Sequence, residues 1–168
     1  MVPAVRHSRH ALMRTLRQTA PRIKGECSPF RLCVGRSAIH RRGVIALEPI
    51  PGNRKVIEYT GARLTWPQAT RLLRKLWRLG EPPNVYLARL NRLWIINGAV
   101  GGNGSQFINH SCDPNLSLRR IRGHLLFFSR RKIRVDEELT WDYRFRRYLP
   151  KTACHCGSPN CRGTINLK

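Results

Sequence analysis

Three thiols fall within eight residues near the C-terminus, in Cys154-His155-Cys156-Gly157-Ser158-Pro159-Asn160-Cys161. A fourth, Cys112, closes a polar run, Asn109-His110-Ser111-Cys112, that follows the apolar pair Phe107-Ile108. Three sulfurs so close in sequence cannot all pair as disulfides, whereas Zn²⁺ takes four soft ligands in a tetrahedron. Gly157 and Pro159 would bend the loop that such ligands need. The fourth ligand is not local, and His155, Cys112, Cys27 and Cys33 are the candidates. His155 is wedged between two ligands and would have to fold back past them, so a remote cysteine is preferred. Cys112 is the one set in a motif that otherwise has no purpose for a thiol. Zinc held by Cys112, Cys154, Cys156 and Cys161 would staple the C-terminal tail onto the Asn109-His110 segment. The chain shows no secretory signal, so a reducing compartment and metal ligation are expected rather than disulfides. Cys27 and Cys33 read as structural thiols.

These groups need a scaffold, and the chain reads as many short strands around one helix. Arg31 to Ser37 approaches a first strand pair, and Val44-Ile-Ala-Leu47 and Val56-Ile-Glu-Tyr59 are apolar runs separated by Pro49, Pro51, Gly52 and Asn53, a strand, turn, strand pattern. Thr65-Trp-Pro-Gln68 fits a capping box. The helix it opens carries Ala69, Leu72, Leu73, Leu76 and Leu79 as an apolar stripe, with Arg71, Arg74, Lys75 and Arg78 off that stripe, and stops at Gly80 and Pro82-Pro83. Leu93-Trp-Ile-Ile96, Leu125-Leu-Phe-Phe128 and Leu139 to Tyr143 are further strands, and Gly98, Gly101, Gly102 and Gly104 allow tight backbone before the polar motif.

The charge is extreme. Lys and Arg number 32 against 9 acidic residues, a formal net charge of +23. Such a balance points to a polyanionic partner, or to substrates embedded in one, and predicts salt-sensitive association with nucleic acid. The bland alternative is a solvated arginine-rich surface. The first 26 residues have no acid until Glu26 and read as a basic arm. No apolar run approaches the roughly 18 residues of a membrane span, so a soluble protein with no membrane partner is expected.

Taken together, the motifs resemble the SET-domain protein-lysine methyltransferases, over roughly Pro29 to the C-terminus. Arg42-Gly43-Val44-Ile45-Ala46 looks like the family's first glycine motif, and Glu58-Tyr59-Thr60-Gly61 like the segment closing its opening hairpin. Gly102-Asn103 and Phe107-Ile108-Asn109-His110-Ser111-Cys112-Asp113-Pro114-Asn115 are close to its signature, and Glu137-Glu138-Leu139-Thr140-Trp141-Asp142-Tyr143 with the Cys-x-Cys-x4-Cys tail completes the set. Four motifs in order, with the tail, are highly specific.

The resemblance implies a mainly β, α+β SET (β-clip) fold with a pseudoknot and a C-terminal zinc knuckle. It divides the chain into a basic arm (1–28), a SET domain (29–145) and a post-SET zinc-binding tail (146–168). It implies S-adenosylmethionine as methyl donor, held by backbone at Arg41, Arg42 and Gly43, by Asn109, and by His110 through ring stacking and backbone contacts to the adenine, with Tyr86 near the sulfonium as a donor-binding and catalytic residue and Tyr143 as the catalytic tyrosine. An Asn side chain can donate and accept, which suits an aminocarboxylate. Transfer from a sulfonium to an amine is an in-line displacement that must meet a neutral lysine, and a poorly hydrated channel lowers the ammonium pKa. The implied substrate is a histone or another basic, nucleic-acid-associated protein, with nucleic-acid contact through the basic surface as a further expectation. The place of action would be the nucleus and chromatin, or the bacterial cytoplasm, or a host nucleus. A rival reading from the charge is a zinc-stabilised nucleic-acid-binding module on the same scaffold without catalysis.

The chain departs from the family pattern at several positions. Arg41 and Asp136 stand where glycines are usual, Asn97 where aspartate is common and Gln106 where arginine is common. Trp141 stands where phenylalanine or tyrosine influences how many methyl groups are added.

Overall fold

Short β-branched and aromatic runs, cut every few residues by Pro, Gly or Asn, leave room for strands of only two to six residues. In a computed structural model that describes residues 21–78, 85–146 and 150–168, these runs form three small sheets and one helix. The first 20 residues of the expected arm and the expected helix stop (Leu79, Gly80, Pro82-Pro83) lie outside the described residues.

β1 (Leu32–Arg36) and β2 (Arg42–Ala46) form an antiparallel hairpin with Val34 opposite Val44. β3 (Lys55–Glu58) and β4 (Ala62–Thr65) follow. The helix, α1 (Trp66–Arg78), starts where the capping box predicts. Thr65 N–H donates to Gln68 Oε1 at 2.8 Å and Gln68 N–H reaches back to Thr65 Oγ1 at 3.5 Å. Ala69 is buried, and Leu72, Leu73 and Leu76 are half-buried, so the predicted stripe does face the protein. Then come β5 (Leu87–Arg89), β6 (Trp94–Asn97), β7 (Asn109–His110), β8 (Leu116–Ile121), β9 (His124–Ser129) and β10 (Glu138–Trp141).

The sheets run β1-β2-β10-β7, β3-β9-β8 and β4-β6-β5. The expected strand, turn, strand unit across Pro49 to Asn53 therefore does not close on itself. β2 already has β1 and β10 on its two edges, so β3 pairs with β9 instead. The intervening turn is pinned elsewhere: Ile50 bridges Ile133, and Ser129 Oγ donates to the Pro51 carbonyl at 2.6 Å. The pattern reading also missed β8, which forms a hairpin with β9 around Arg122-Gly123. Both turn residues have positive φ, 47° and 80°, the geometry of a two-residue turn that matches strand twist.

β7 lies parallel to β10, with Asn109 beside Thr140 and His110 beside Trp141. Asn115 ties the two segments: its Nδ2 donates to the Glu138 carbonyl at 2.8 Å, and its Oδ1 accepts from Thr140 N–H at 2.9 Å. Asn115 is almost fully buried, so these bonds satisfy a polar group that would otherwise cost stability. The core beneath is built from Val44, Ile57, Ile108, Leu125, Phe127 and Leu139, all at 3% exposure or less.

Candidate active site and metal centre

Asn109 stands at the join between β7, β10 and the β1–β2 hairpin, and its hydrogen bonds show what β7 positions. Nδ2 donates to the Arg42 carbonyl at 2.7 Å, to Glu138 Oε1 at 2.8 Å and to Ser37 Oγ at 3.0 Å. Ser37 Oγ in turn donates to the Glu138 carboxylate at 2.8 Å and accepts from the Ile39 and His40 N–H groups. Glu138 and Ser37 were not singled out in the sequence. Glu138 lies in the acidic pair before the Leu139 to Tyr143 run, but its neighbours across the fold are up to 101 residues away. Gly43 fits against this carboxylate, because a Cβ there would overlap Glu138. Arg41, just before, takes φ 43°, so the missing family glycine is replaced by an arginine held in the left-handed region. Arg42 lays its guanidinium over the Phe107 ring at 5.4 Å.

One residue on either side of Asn109, the backbone and ring reach Tyr143. Tyr143 Oη donates to the Ile108 carbonyl at 3.1 Å, and Tyr143 N–H donates to His110 Nδ1 at 3.2 Å. Burial, then the neighbouring Tyr86 and Glu138, push the Tyr143 phenol well above the ordinary tyrosine range, so it is a neutral hydroxyl. The ring of Trp141 lies 5.1 Å away and that of Phe145 5.8 Å away. Tyr86 is half-buried and meets Phe107 edge-on at 5.6 Å, while its carbonyl accepts from the Tyr59 hydroxyl at 2.8 Å. Tyr59 was not singled out as a site residue either. Its phenol is likewise raised by burial, then by Tyr143 and Tyr86.

The His110 ring is 4% exposed and links this aromatic group to the cysteines. Burial lowers its pKa to about 4, against the opposing effect of Asp142. The neutral ring accepts at Nδ1, which puts its proton on Nε2, 3.5 Å from Cys112 Sγ. The sulfurs of Cys112, Cys154, Cys156 and Cys161 all lie within 4.8 Å of one another, so Cys112 is the remote thiol brought to the tail. His155 is exposed, Cys33 is buried in β1, and Cys27 packs against the core. Four thiols with that spacing fit Zn²⁺. Burial raises Cys156, but N–H donors from Cys112 and Ser158 and the sulfurs beside it outweigh that and bring its pKa to about 6. The tail is also clamped by a bidentate pair, Arg162 to Asp142 at 2.8 and 3.0 Å, one residue from Tyr143. Arg162 N–H donates to Cys112 Sγ at 3.3 Å.

Ser37, Asn109 and Glu138, with the carbonyls of His40 and Arg42, form one hydrogen-bonded polar cluster, and Tyr143 is bonded to the residues on either side of Asn109. A carboxylate suits an ammonium, an amide suits a carboxylate, and tyrosine faces suit a sulfonium. The Glu138 carboxylate can still accept from the ammonium of S-adenosylmethionine, whereas the Asn109 N–H groups already donate to Arg42, Glu138 and Ser37 and would have to exchange a partner to meet its carboxylate. His110 presents backbone and a buried ring rather than an open ring face.

Comparison with known proteins gives this arrangement its family. A model of the SET domain matches residues 41–144. The histone-lysine N-methyltransferase, H3 lysine-4 specific, of Eremothecium gossypii is 36% identical over 138 residues, covering 78% of this chain and 14% of that protein. The protein of the same name from Saccharomyces cerevisiae is also 36% identical over 138 residues, covering 78% of this chain and 13% of that protein. Human histone-lysine N-methyltransferase SETD1A is 36% identical over 140 residues, covering 81% of this chain and 8% of that protein. The chain thus spans about a seventh or less of the length of these relatives. Its order of motifs, its fold and the match over residues 41–144 make it a member of the SET-domain family.

Proposed function

We propose that this chain transfers methyl groups from S-adenosylmethionine to lysine in a protein, either a histone or another basic protein associated with nucleic acid. The observation that carries this reading is that Tyr143 meets the Ile108 carbonyl through its hydroxyl and the His110 ring through its N–H, with Tyr86 near enough to raise its phenol. The relatives' names, which specify histone lysine, support the substrate class. On the same reading, residues 1–28 are a basic arm, 29–145 the SET domain and 146–168 the post-SET tail. The place of action is chromatin for a histone substrate and the bacterial cytoplasm for a DNA-binding or ribosomal protein.

Bound S-adenosylmethionine supplies an electrophilic methyl on a sulfonium. Asn109, Ser37 and Glu138, with backbone at Arg41, Arg42 and Gly43, bind and orient the donor's polar end, and His110 contributes backbone beside them. Tyr143 stays a neutral hydroxyl, so it orients and stabilises by hydrogen bonding and does not act as a base. Tyr86, Trp141 and Phe145 exclude water around it, which disfavours an ammonium and keeps the target amine neutral and nucleophilic. The in-line geometry then rests on positioning. Cys112, Cys154, Cys156 and Cys161 would hold Zn²⁺ in a structural role. With the tail so fixed, Arg162 and Asp142 hold the chain entering Tyr143.

The test is transfer of labelled methyl to core histones and to a basic bacterial protein extract, comparing the native chain with Tyr143→Phe. Labelling by the native chain that falls at least a hundredfold in the variant supports the reading. Absence of labelling on every substrate, together with no donor binding by calorimetry, overturns it.

A further inference from the structure

Between Tyr59 and Gly123 the chain has ten Lys and Arg residues and only two acids, Glu81 and Asp113. The fold links eight of these cations, drawn from distant stretches, through neighbouring grooves and contacts. On α1, Arg71, Arg74, Lys75 and Arg78 are exposed, and with Trp66 and Thr70 they line an open groove of about 850 Å³. Arg89 stacks over the Trp66 ring at 5.8 Å, joining the helix to β5. The Arg89 carbonyl accepts from Arg120 Nε at 3.1 Å, joining β5 to β8. Arg63 donates to the Gly123 carbonyl at 3.1 Å, joining β4 to the β8–β9 turn. A second groove of about 490 Å³, lined by Arg89, Arg92 and Arg120, lies along this path. Among the described residues, none of these arginines forms an ion pair. Glu58, at the margin, is occupied by His124 at 2.7 Å.

We infer that this surface binds the phosphate backbone of duplex DNA, with the exposed face of α1 as its centre. Arg71, Arg74 and Arg78 span about 10 Å along the helix axis, enough to meet about three phosphates of one strand at about 3.4 Å of axis each. Guanidinium groups are the side chains best shaped to chelate phosphate oxygens. The described part of α1 carries no acid at helical spacing to neutralise these cations. Contacts to phosphate carry no sequence information directly, so binding through them is sequence-independent. It would keep the protein on the polymer that carries its basic protein partners. The inference stands without methyl transfer, since its readout is DNA binding.

The experiment measures fluorescence anisotropy of a short, labelled, mixed-sequence DNA duplex titrated with the full chain over a range of salt. The variant Arg71→Gln/Arg74→Gln/Arg78→Gln is compared with Lys55→Gln/Lys151→Gln/Lys168→Gln, which removes equal charge elsewhere. The expected result is that the α1 variant lowers the slope of log affinity against log salt by about three, while the control changes it by less than one. A third variant, with lysines at the three α1 positions, keeps the slope and shows that the helix has not been lost. Equal loss in the control would mean a diffuse charge effect and overturns the inference, as does equal loss in the lysine variant. Competition by polyglutamate at the same charge concentration as strongly as by unlabelled duplex would point to an acidic protein partner and overturns it as well. Methyl transfer to a free basic peptide without DNA should be equal in the native chain and the α1 variant. No labelling by the native chain would count against the proposed activity and not against the surface.

Discussion

Arg41 and Asp136 are the residues at which this chain departs from glycine, and both take left-handed backbone, with φ 43° and 67°. The strain of these side chains therefore sits in the backbone. A non-glycine residue in this region pays roughly 1–2 kcal/mol, offset in part by glycine's greater freedom when unfolded. Arg41→Gly should therefore stabilise the protein by about 0.5–1 kcal/mol, and raise its thermal midpoint by about 2–3 °C. Calorimetry checks this, and an unchanged or lowered midpoint would show that the arginine side chain makes compensating contacts. Trp141 is a different kind of departure. It packs at 5.1 Å from Tyr143 and 5.5 Å from Phe127, so a bulkier ring is accommodated within the aromatic group.

At the scale of elements, the site depends on β2 and β10 approaching closely. Gly43 makes that approach possible, and Glu138 fills the space with a carboxylate held by Ser37 and Asn109. Gly43→Ala would force that carboxylate out of its network and should cost about 1–3 kcal/mol. In a Glu138→Ala background the same substitution should cost much less. A double-mutant cycle by urea denaturation reads the coupling directly, and additive effects would mean that β2 and β10 shift apart instead. The polar cluster of Ser37, Asn109 and Glu138 and the strand packing are thus one structure. The β1–β2 hairpin presents backbone, β7 presents Asn109, and β10 presents Glu138 and leads into Tyr143.

For the molecule as a whole, the described part of the tail meets the rest of the protein chiefly through the cysteine cluster, the Arg162–Asp142 pair and the backbone beside Phe145. Its short pairings, Phe145 with Asn166 and Ala153 with Thr164, are single bridges. Ligand exchange at the four sulfurs should consequently control whether the tail docks at all. The native chain should contain one zinc ion per molecule by atomic absorption, and Cys161→Ser should lose it. Strong chelators should lower the thermal midpoint of the native chain and leave that of the variant unchanged. A native chain free of zinc with an unaffected midpoint would sink the metal assignment. Because Arg162 links the tail to Asp142, the same treatment should also reduce activity by loosening the approach to Tyr143.

Much of this was legible locally. The capping box at Thr65, the cysteine triplet, the apolar runs of the strands and the Asn109-His110 pair all carry their chemistry within a few residues, where spacing and residue type suffice. The excess of arginine over acid was equally plain. The tertiary structure decided what those pieces meet. Cys112 joins a tail 42 residues downstream, and Ser37 reaches Glu138 across 101 residues. β3 turns away from β2 because β1 and β10 take both of its edges. Arginines scattered over four elements are linked only through contacts such as Arg120 with Arg89. Local pattern records what each residue can do, but long-range pairing depends on competition among edges and on the packing of buried polar groups. That competition is settled over the whole chain.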